Sequence, residues 1–189
     1  MTSKPPPAPR PPTSIHPEAV IADKAVLSGA NLITIAENVI IHPYARLDSS
    51  GGAVTIGANT IVYENAKVGC AMAGAVEIKG GWHVGVGSGC TIEGNAVVEG
   101  QIGDGTEVGV GASVGQGAKV GRHCKIAAIE RVEPGEELED FTVIFGDGKR
   151  RMDKTMRDNT AVMDAKSKGQ DMAIELMKRM VGNTASKWV

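Results

Sequence analysis

The chain has 189 residues, a net charge of −2 and 22% charged side chains. Aromatic residues are only 3%, too few for the core of a conventional domain of this length, whereas 25 glycines suit a fold with many tight corners. No apolar run approaches a membrane span, and the basic residues lack interleaved aromatics for stacking on bases, which sets aside membrane-spanning and nucleic-acid-binding functions.

Residues 1–13 hold Pro5, Pro6, Pro7, Pro9, Pro11 and Pro12 and read as a disordered, extended leader. From 14 to 147 an aliphatic residue returns every sixth position. It appears first in blocks: Ile15, Ile21, Leu27; Ile35, Ile41, Leu47; Ile56, Val62, Val68; Val86, Ile92, Val98. It then runs without a slip through Ile102, Val108, Val114, Val120, Ile126, Val132, Leu138 and Ile144. This period is neither the 3.6 of a helix nor the 2 of a strand; it is the hexapeptide repeat of a parallel β-helix, an all-β solenoid. Three hexads make one triangular coil. The aliphatic points inward, with Ile102, Val108, Val114, Val120 and Ile126 as the clearest core positions. A small residue two places before the next aliphatic (Thr106, Ala112, Ala118, Cys124) also points inward. Asn38, Asn59, Asn65 and Asn95 fall at corners, where left-handed backbone is needed. Residues 48–55 and 69–77 break the period and read as loops.

The period ends near Phe145, followed by a turn at Gly146-Asp147-Gly148 and the basic Lys149-Arg150-Arg151. Residues 148–189 form a basic linker and a C-terminal amphipathic helix over about 153–181. Asp158, Asn159 or Thr160 can cap its start, and Gly169 marks a kink or break. Its apolar stripe is Met163, Ala173, Ile174, Met177, Met180 and Val181. The stripe must cover either the solenoid's own flank or a partner, and Ile174, Met177, Met180 and Val181 are the candidate partner-contact residues. This segment carries a net charge of about +5 against about −7 for the remainder, so it can lie on the acidic body. The open ends of a β-helix also invite capping or assembly.

Cys70, Cys90 and Cys124 form no C-x-x-C pair, and Cys90 and Cys124 take the small inward position of their hexads. With no apolar signal segment at the start, the chain reads as cytoplasmic.

Hexapeptide β-helices host two familiar enzymes: acyltransferases with a His general base, and γ-class carbonic anhydrases whose zinc is held by three His. Part of the second pattern is present, in Arg46-Leu47-Asp48 and Ile56-Gly57-Ala58-Asn59-Thr60. Its Gln-Asp pair is replaced by Tyr63-Glu64, and the three ligand positions fall near Gly69, Gly87-Ser88 and Ile92-Glu93, where no His stands. No metal or cofactor is expected. His16, His42 and His123 read as outward, solvent-exposed corner residues. His83, beside Trp82, is the one candidate general base, with no convergent acid in sequence. Gly103-Asp104-Gly105 reads as a corner rather than a phosphate cradle. The acidic run Glu130, Glu133, Glu136, Glu137, Glu139, Asp140 reads as a solvated or partner-facing flank rather than a metal site.

The segment Val39-Ile40-Ile41-His42-Pro43-Tyr44-Ala45-Arg46-Leu47 resembles the early coil of the dynactin subunit 6 family. So do Val54-Thr55-Ile56-Gly57-Ala58-Asn59 with Glu64-Asn65-Ala66, and the exit from Val132-Glu133-Pro134-Gly135 to Thr142-Val143-Ile144-Phe145-Gly146 and Arg150-Arg151. The resemblance covers about residues 15–181. It implies a left-handed β-helix and a non-enzymatic structural subunit of the dynactin pointed-end complex, associated with the cytoskeleton. The implied partners are dynactin subunit 5, dynactin subunit 4, the actin-related protein and, through them, dynein-driven transport. The alternative is a divergent hexapeptide enzyme, carbonic-anhydrase-like or an acyltransferase, working as a homotrimer with its site between chains.

Overall fold

The computed structural model describes residues 10–70 and 83–189. The Pro-rich leader to residue 9, part of the second predicted loop and Trp82 lie outside the described residues. Short parallel strands build a left-handed β-helix with three faces. The first face runs from Thr13–Ile15 to Glu137–Leu138, the second from Val20–Ile21 to Thr142–Phe145, and the third from Val26–Gly29 to Arg131–Val132. Each strand pairs in register with the equivalent strand of the next coil; Ile102, for example, lies opposite Val120, and Val120 opposite Leu138. Register is fixed because a slip by one residue would turn the aliphatic outward.

Ile102, Val108, Val114, Val120 and Ile126 are all buried, within one continuous core. At the corners, Asn38, Asn59, Asn65 and Asn95 have φ of 56°, 54°, 58° and 60°, the left-handed region that Asn enters most readily among residues with a Cβ. Thr60, Cys90, Thr106 and Cys124 are buried under successive corners between the first and second faces. Thr60 and Thr106 each donate to a carbonyl of the next coil, Gly87 and Gly121, at 2.9 Å, and accept the backbone N–H of Cys90 and Cys124. The hydroxyls are therefore satisfied inside an apolar bore. Burial pushes the Cys90 thiol up to about 12, outweighing nearby backbone donors. At neutral pH Cys90 is expected to resist alkylation in the folded protein and to react once it unfolds; mass spectrometry of iodoacetamide-treated chain checks this, and modification of Cys90 without unfolding would refute it.

The helical segment breaks at Asn159, not at Gly169. Helix α1, Lys154–Asp158, starts at an Asp153 cap whose carboxylate accepts from Met156 N–H. Helix α2, Thr160–Met180, starts at Asn159, whose side chain accepts from Ala161 N–H. Among the described residues Gly169 meets no atom outside its own helix within 4 Å of the Cβ it lacks, so no neighbour presses the helix to bend there. Helix α2 runs back along the second face. There the outward residues Val20, Ile40 and Ile61 are apolar and form a second core with Ile174, flanked by Tyr63, Ala173, Met177 and Val181. Ile174, Met177 and Val181 thus lie against the chain's own solenoid, while Met180 is exposed. Ion pairs from Lys166 to Glu107 and from Lys178 to Glu18 join the basic segment to the acidic body.

At both ends of the solenoid the edge strand of the second face is covered. At the C-terminal end, Lys149–Met152 folds back antiparallel on Thr142–Phe145, and the Glu130 carboxylate accepts from the N–H groups of Asp147 and Gly148 at 2.9 Å. At the N-terminal end, Asn183 and Thr184 bond the backbone of Ala19 and Ile21, and Ala185 and Trp188 pack against the core. The acidic run is largely spent on these internal contacts, including Glu136–Arg150, Glu137–Lys119 and Asp140–Arg122.

Candidate functional site

The corner between the first and second faces stacks Asn38, Asn59, Gly89, Gly105, His123 and Phe141, all with positive φ. Helix α2 passes beside it. Between helix and corner lies a cleft of about 220 Å³, with Ser88, Asp104, His123, Lys166, Ser167 and Asp171 among its lining residues. Two forces hold α2 here. Lys166 Nζ lies 2.8 Å from both Glu107 Oε1 and the Gly105 carbonyl. Gln170 donates to the carbonyls of Asn59 and Cys90 and accepts from Thr91. Burial opposes ionisation of Glu107, but Lys166 and Lys125 outweigh it and hold the carboxyl below its ordinary range.

His123 is the chemically distinctive group of this wall. Its ring stacks on Phe141 at a centroid distance of 5.4 Å and an interplanar angle of 16°. On the other side it packs over Gly105, where a Cβ would fall 2.7 Å from His123 Cε1, so only glycine leaves room for the imidazole. Nδ1 is buried and has no hydrogen-bond partner among the described residues. Burial first, then the charges of Lys166 and Arg122, lower its pKa below the ordinary 6.5, with Asp104 and Asp140 pulling weakly the other way. Both effects favour the neutral imidazole, the state a general base requires. Asp104 is held by the Ser88 N–H at 2.7 Å.

The other histidines are placed differently. His42, expected outward and solvent-exposed, is only 8% exposed, because its ring stacks on Tyr63 at 4.8 Å and its Nδ1 lies 2.8 Å from Glu64 Oε1. His123, expected in solvent as well, is half-buried because α2 returns past it. His16 is exposed, its Nδ1 accepting from Glu18 N–H. His83 is exposed, with Nε2 3.1 Å from Thr55 Oγ1, on a different face from the cleft. Among the described residues no three His, Cys, Asp or Glu come together to hold a metal ion. The signal that could have located the cleft is the doubling of aliphatics at Val20-Ile21, Ile40-Ile41 and Ile61-Val62. On the third face the outward Val26 and Val97 are separated by Arg46 and Lys67, whereas Val20, Ile40 and Ile61 stack directly on successive coils and mark where the helix must lie.

The chain matches no family profile and no curated protein sequence. Among solved structures it is similar to a hexapeptide transferase family protein from Anaplasma phagocytophilum. Identity is 17%, the likeness covers 89% of this chain and 91% of that one, and the TM-score is 0.57. Looser similarities are to the acetyltransferase domain of PglB from Neisseria gonorrhoeae (17% identity, 69% and 55% covered, TM-score 0.35) and to GDP-perosamine N-acetyl transferase from Caulobacter crescentus (21%, 76% and 58%, TM-score 0.33). Of these two longer proteins the match spans just over half.

The likeness to the Anaplasma phagocytophilum protein corrects the expectation of a non-enzymatic dynactin subunit. That protein is a hexapeptide transferase family member, not a dynactin subunit. With that reading go the partners it implied: dynactin subunit 5, dynactin subunit 4, the actin-related protein and dynein. The physical reason lies in the residues that carried the resemblance. Ile41, Ala45, Leu47, Val54, Ile56 and Ala66 are all buried, and Asn59 and Asn65 are corners, so the match reported the scaffold and not a surface. Nor do the missing zinc ligands exclude an enzyme, since acyl transfer needs no metal at that position. Among the described residues no helix is long and apolar enough to cross a membrane.

Proposed function

We propose that this chain is an acyltransferase of hexapeptide-repeat type, with His123 as its general base, moving an acyl group from a thioester to an amine or alcohol. The fold shared with a transferase supports the class, and the observation that carries the reading is the half-buried His123 imidazole in the wall of a concave cleft. The acceptor's N–H or O–H gives its proton to His123 as the nitrogen or oxygen attacks the thioester carbonyl carbon. The tetrahedral intermediate collapses with cleavage of the C–S bond, and the imidazolium returns the proton to the departing sulfur. Ser88 and Ser167 line the cleft with hydroxyls that can donate to the developing oxyanion. Lys166 is committed to Glu107 and Gly105, so its part is to hold α2. At about 220 Å³ the cleft takes the acyl end of a donor such as acetyl-coenzyme A and leaves its nucleotide outside. The cleft is formed within one chain, so this reading needs no trimer. A cytoplasmic site of action fits an acyl-thioester donor.

The test is incubation of the purified chain with acetyl-coenzyme A and a panel of primary amines, amino sugars and alcohols, with products read by mass. Acceptor-dependent acetylation is the expected result. No acetylated product with any acceptor class overturns the reading.

A further inference from the structure

Helix α2 has two apolar faces, and only one is covered. Opposite Ile174 lies a second stripe: Ala161, Ala165, Gly169, Met172, Leu176 and Met180, all exposed. Met172, Leu176 and Met180 are 75%, 58% and 74% exposed, unusual for large apolar side chains spaced along one stripe. The stripe is divided by size. Its N-terminal half is small and its C-terminal half is large.

We infer that this face pairs with the α2 of a second copy of the chain, antiparallel, about a two-fold axis between Gln170 and Asp171. In that register Ala161 faces Met180, Ala165 faces Leu176 and Gly169 faces Met172, twice over by symmetry. Each large side chain meets a small one, and Ala and Gly let the two helices approach closely. A parallel pairing would set large against large at one end and leave a gap at the other. Charge agrees with size. Lys168, Glu175, Asp164 and Arg179 flank the stripe on one side and are exposed. The two-fold axis brings that side against itself, placing Lys168 beside Glu175 of the second copy and Asp164 beside Arg179 of the second copy. Glu175 also meets Lys178 of its own helix at 3.3 Å, which leaves its second oxygen for the partner. Of the exposed charges on this side Asp171 alone, beside the axis, opposes its own copy, and it lies farthest from the stripe. The inference stands on α2 alone and does not depend on acyl transfer.

Sedimentation equilibrium of the full chain tests it. The expected species is a reversible dimer of twice 19.6 kDa. Leu176→Glu, at a position that does not touch the solenoid, should weaken association more than about 100-fold with unfolding temperature nearly unchanged. Lys168→Glu should weaken it roughly tenfold, and Lys168→Glu with Glu175→Lys should restore it. Direction is read by mixing Ala165→Cys and Leu176→Cys chains under oxidation: antiparallel pairing gives the mixed disulfide, parallel pairing gives Ala165→Cys joined to itself. A monomer at every concentration, a dimer indifferent to Leu176→Glu, a charge swap that fails to restore, or the like-with-like disulfide would each overturn the inference.

Discussion

His123→Gln is expected to slow acyl transfer by about 10²–10⁴-fold, the usual loss when a positioned base is removed. Glutamine keeps the hydrogen-bonding outline of the ring but cannot take a proton at neutral pH. The pH profile carries a second, independent signature. Burial, reinforced by Lys166 and Arg122, puts the folded pKa of His123 below 6.5. The acid limb of kcat/KM should therefore inflect below pH 6.5, and transfer should be pH-independent across neutrality. Stability follows the same linkage. Between the folded pKa and 6.5 the unfolded chain binds more protons at this position than the native one, so stability rises with pH through that window. It falls as the pH drops from 6.5 toward the folded pKa, and below that the loss is complete and constant. His123→Gln should remove this share of the acid sensitivity, as read by urea midpoints at several pH values. A wild-type rate in His123→Gln, or an acid limb at or above 6.5, would assign the base to another group.

The repeat was legible because each inward position is decided by one side chain in one environment. Ile102 through Ile126 recur at a fixed interval because each coil has the same three sides. The corner asparagines were legible for the same reason, since left-handed backbone selects few residue types. The cleft was not legible, because it joins His123 to Lys166 and Ser167 across two elements whose relation is set by packing. Periodicity along the chain places His123 on a corner and α2 somewhere outside. The outward Val20, Ile40 and Ile61, stacked on successive coils, say which face the helix covers, and their doublets blend into the hexad pattern. The environments of His42 and His123 depend on neighbours one coil away, Glu64 with Tyr63 and Phe141 with Gly105. An isolated hexad gives no sign of them. The resemblance to a dynactin subunit failed on the same ground: what recurs in hexads is what faces inward or turns a corner.

Asn183→Ala is expected to lower the unfolding temperature by about 5–15 °C, a loss on the order of 2–4 kcal/mol in a chain of this size. The strand Val20–Ile21 is the edge of the second face, and its partner lies on one side only. Asn183 serves the other side: its Oδ1 accepts from Ile21 N–H at 3.2 Å and its Nδ2 donates to the Ala19 carbonyl at 3.1 Å. Thr184 N–H and Oγ1 donate to the Ile21 carbonyl at 2.7 and 3.0 Å. Ala19 and Ile21 are fully buried, so alanine at 183 strands a donor and an acceptor where water reaches them only if the cap lifts. Differential scanning fluorimetry measures the shift. Removal of residues 182–189 goes further, because Trp188 no longer packs on the end of the core and the edge strand stands open. An open parallel edge pairs with another chain, so the truncated protein should form assemblies that scatter more light as concentration rises. Leu176→Glu, which should dissolve a pair joined through α2, should leave these assemblies intact. An unshifted unfolding temperature in Asn183→Ala, together with a monodisperse truncated chain, would mean that the C-terminal segment rests on the end of the solenoid without sealing it.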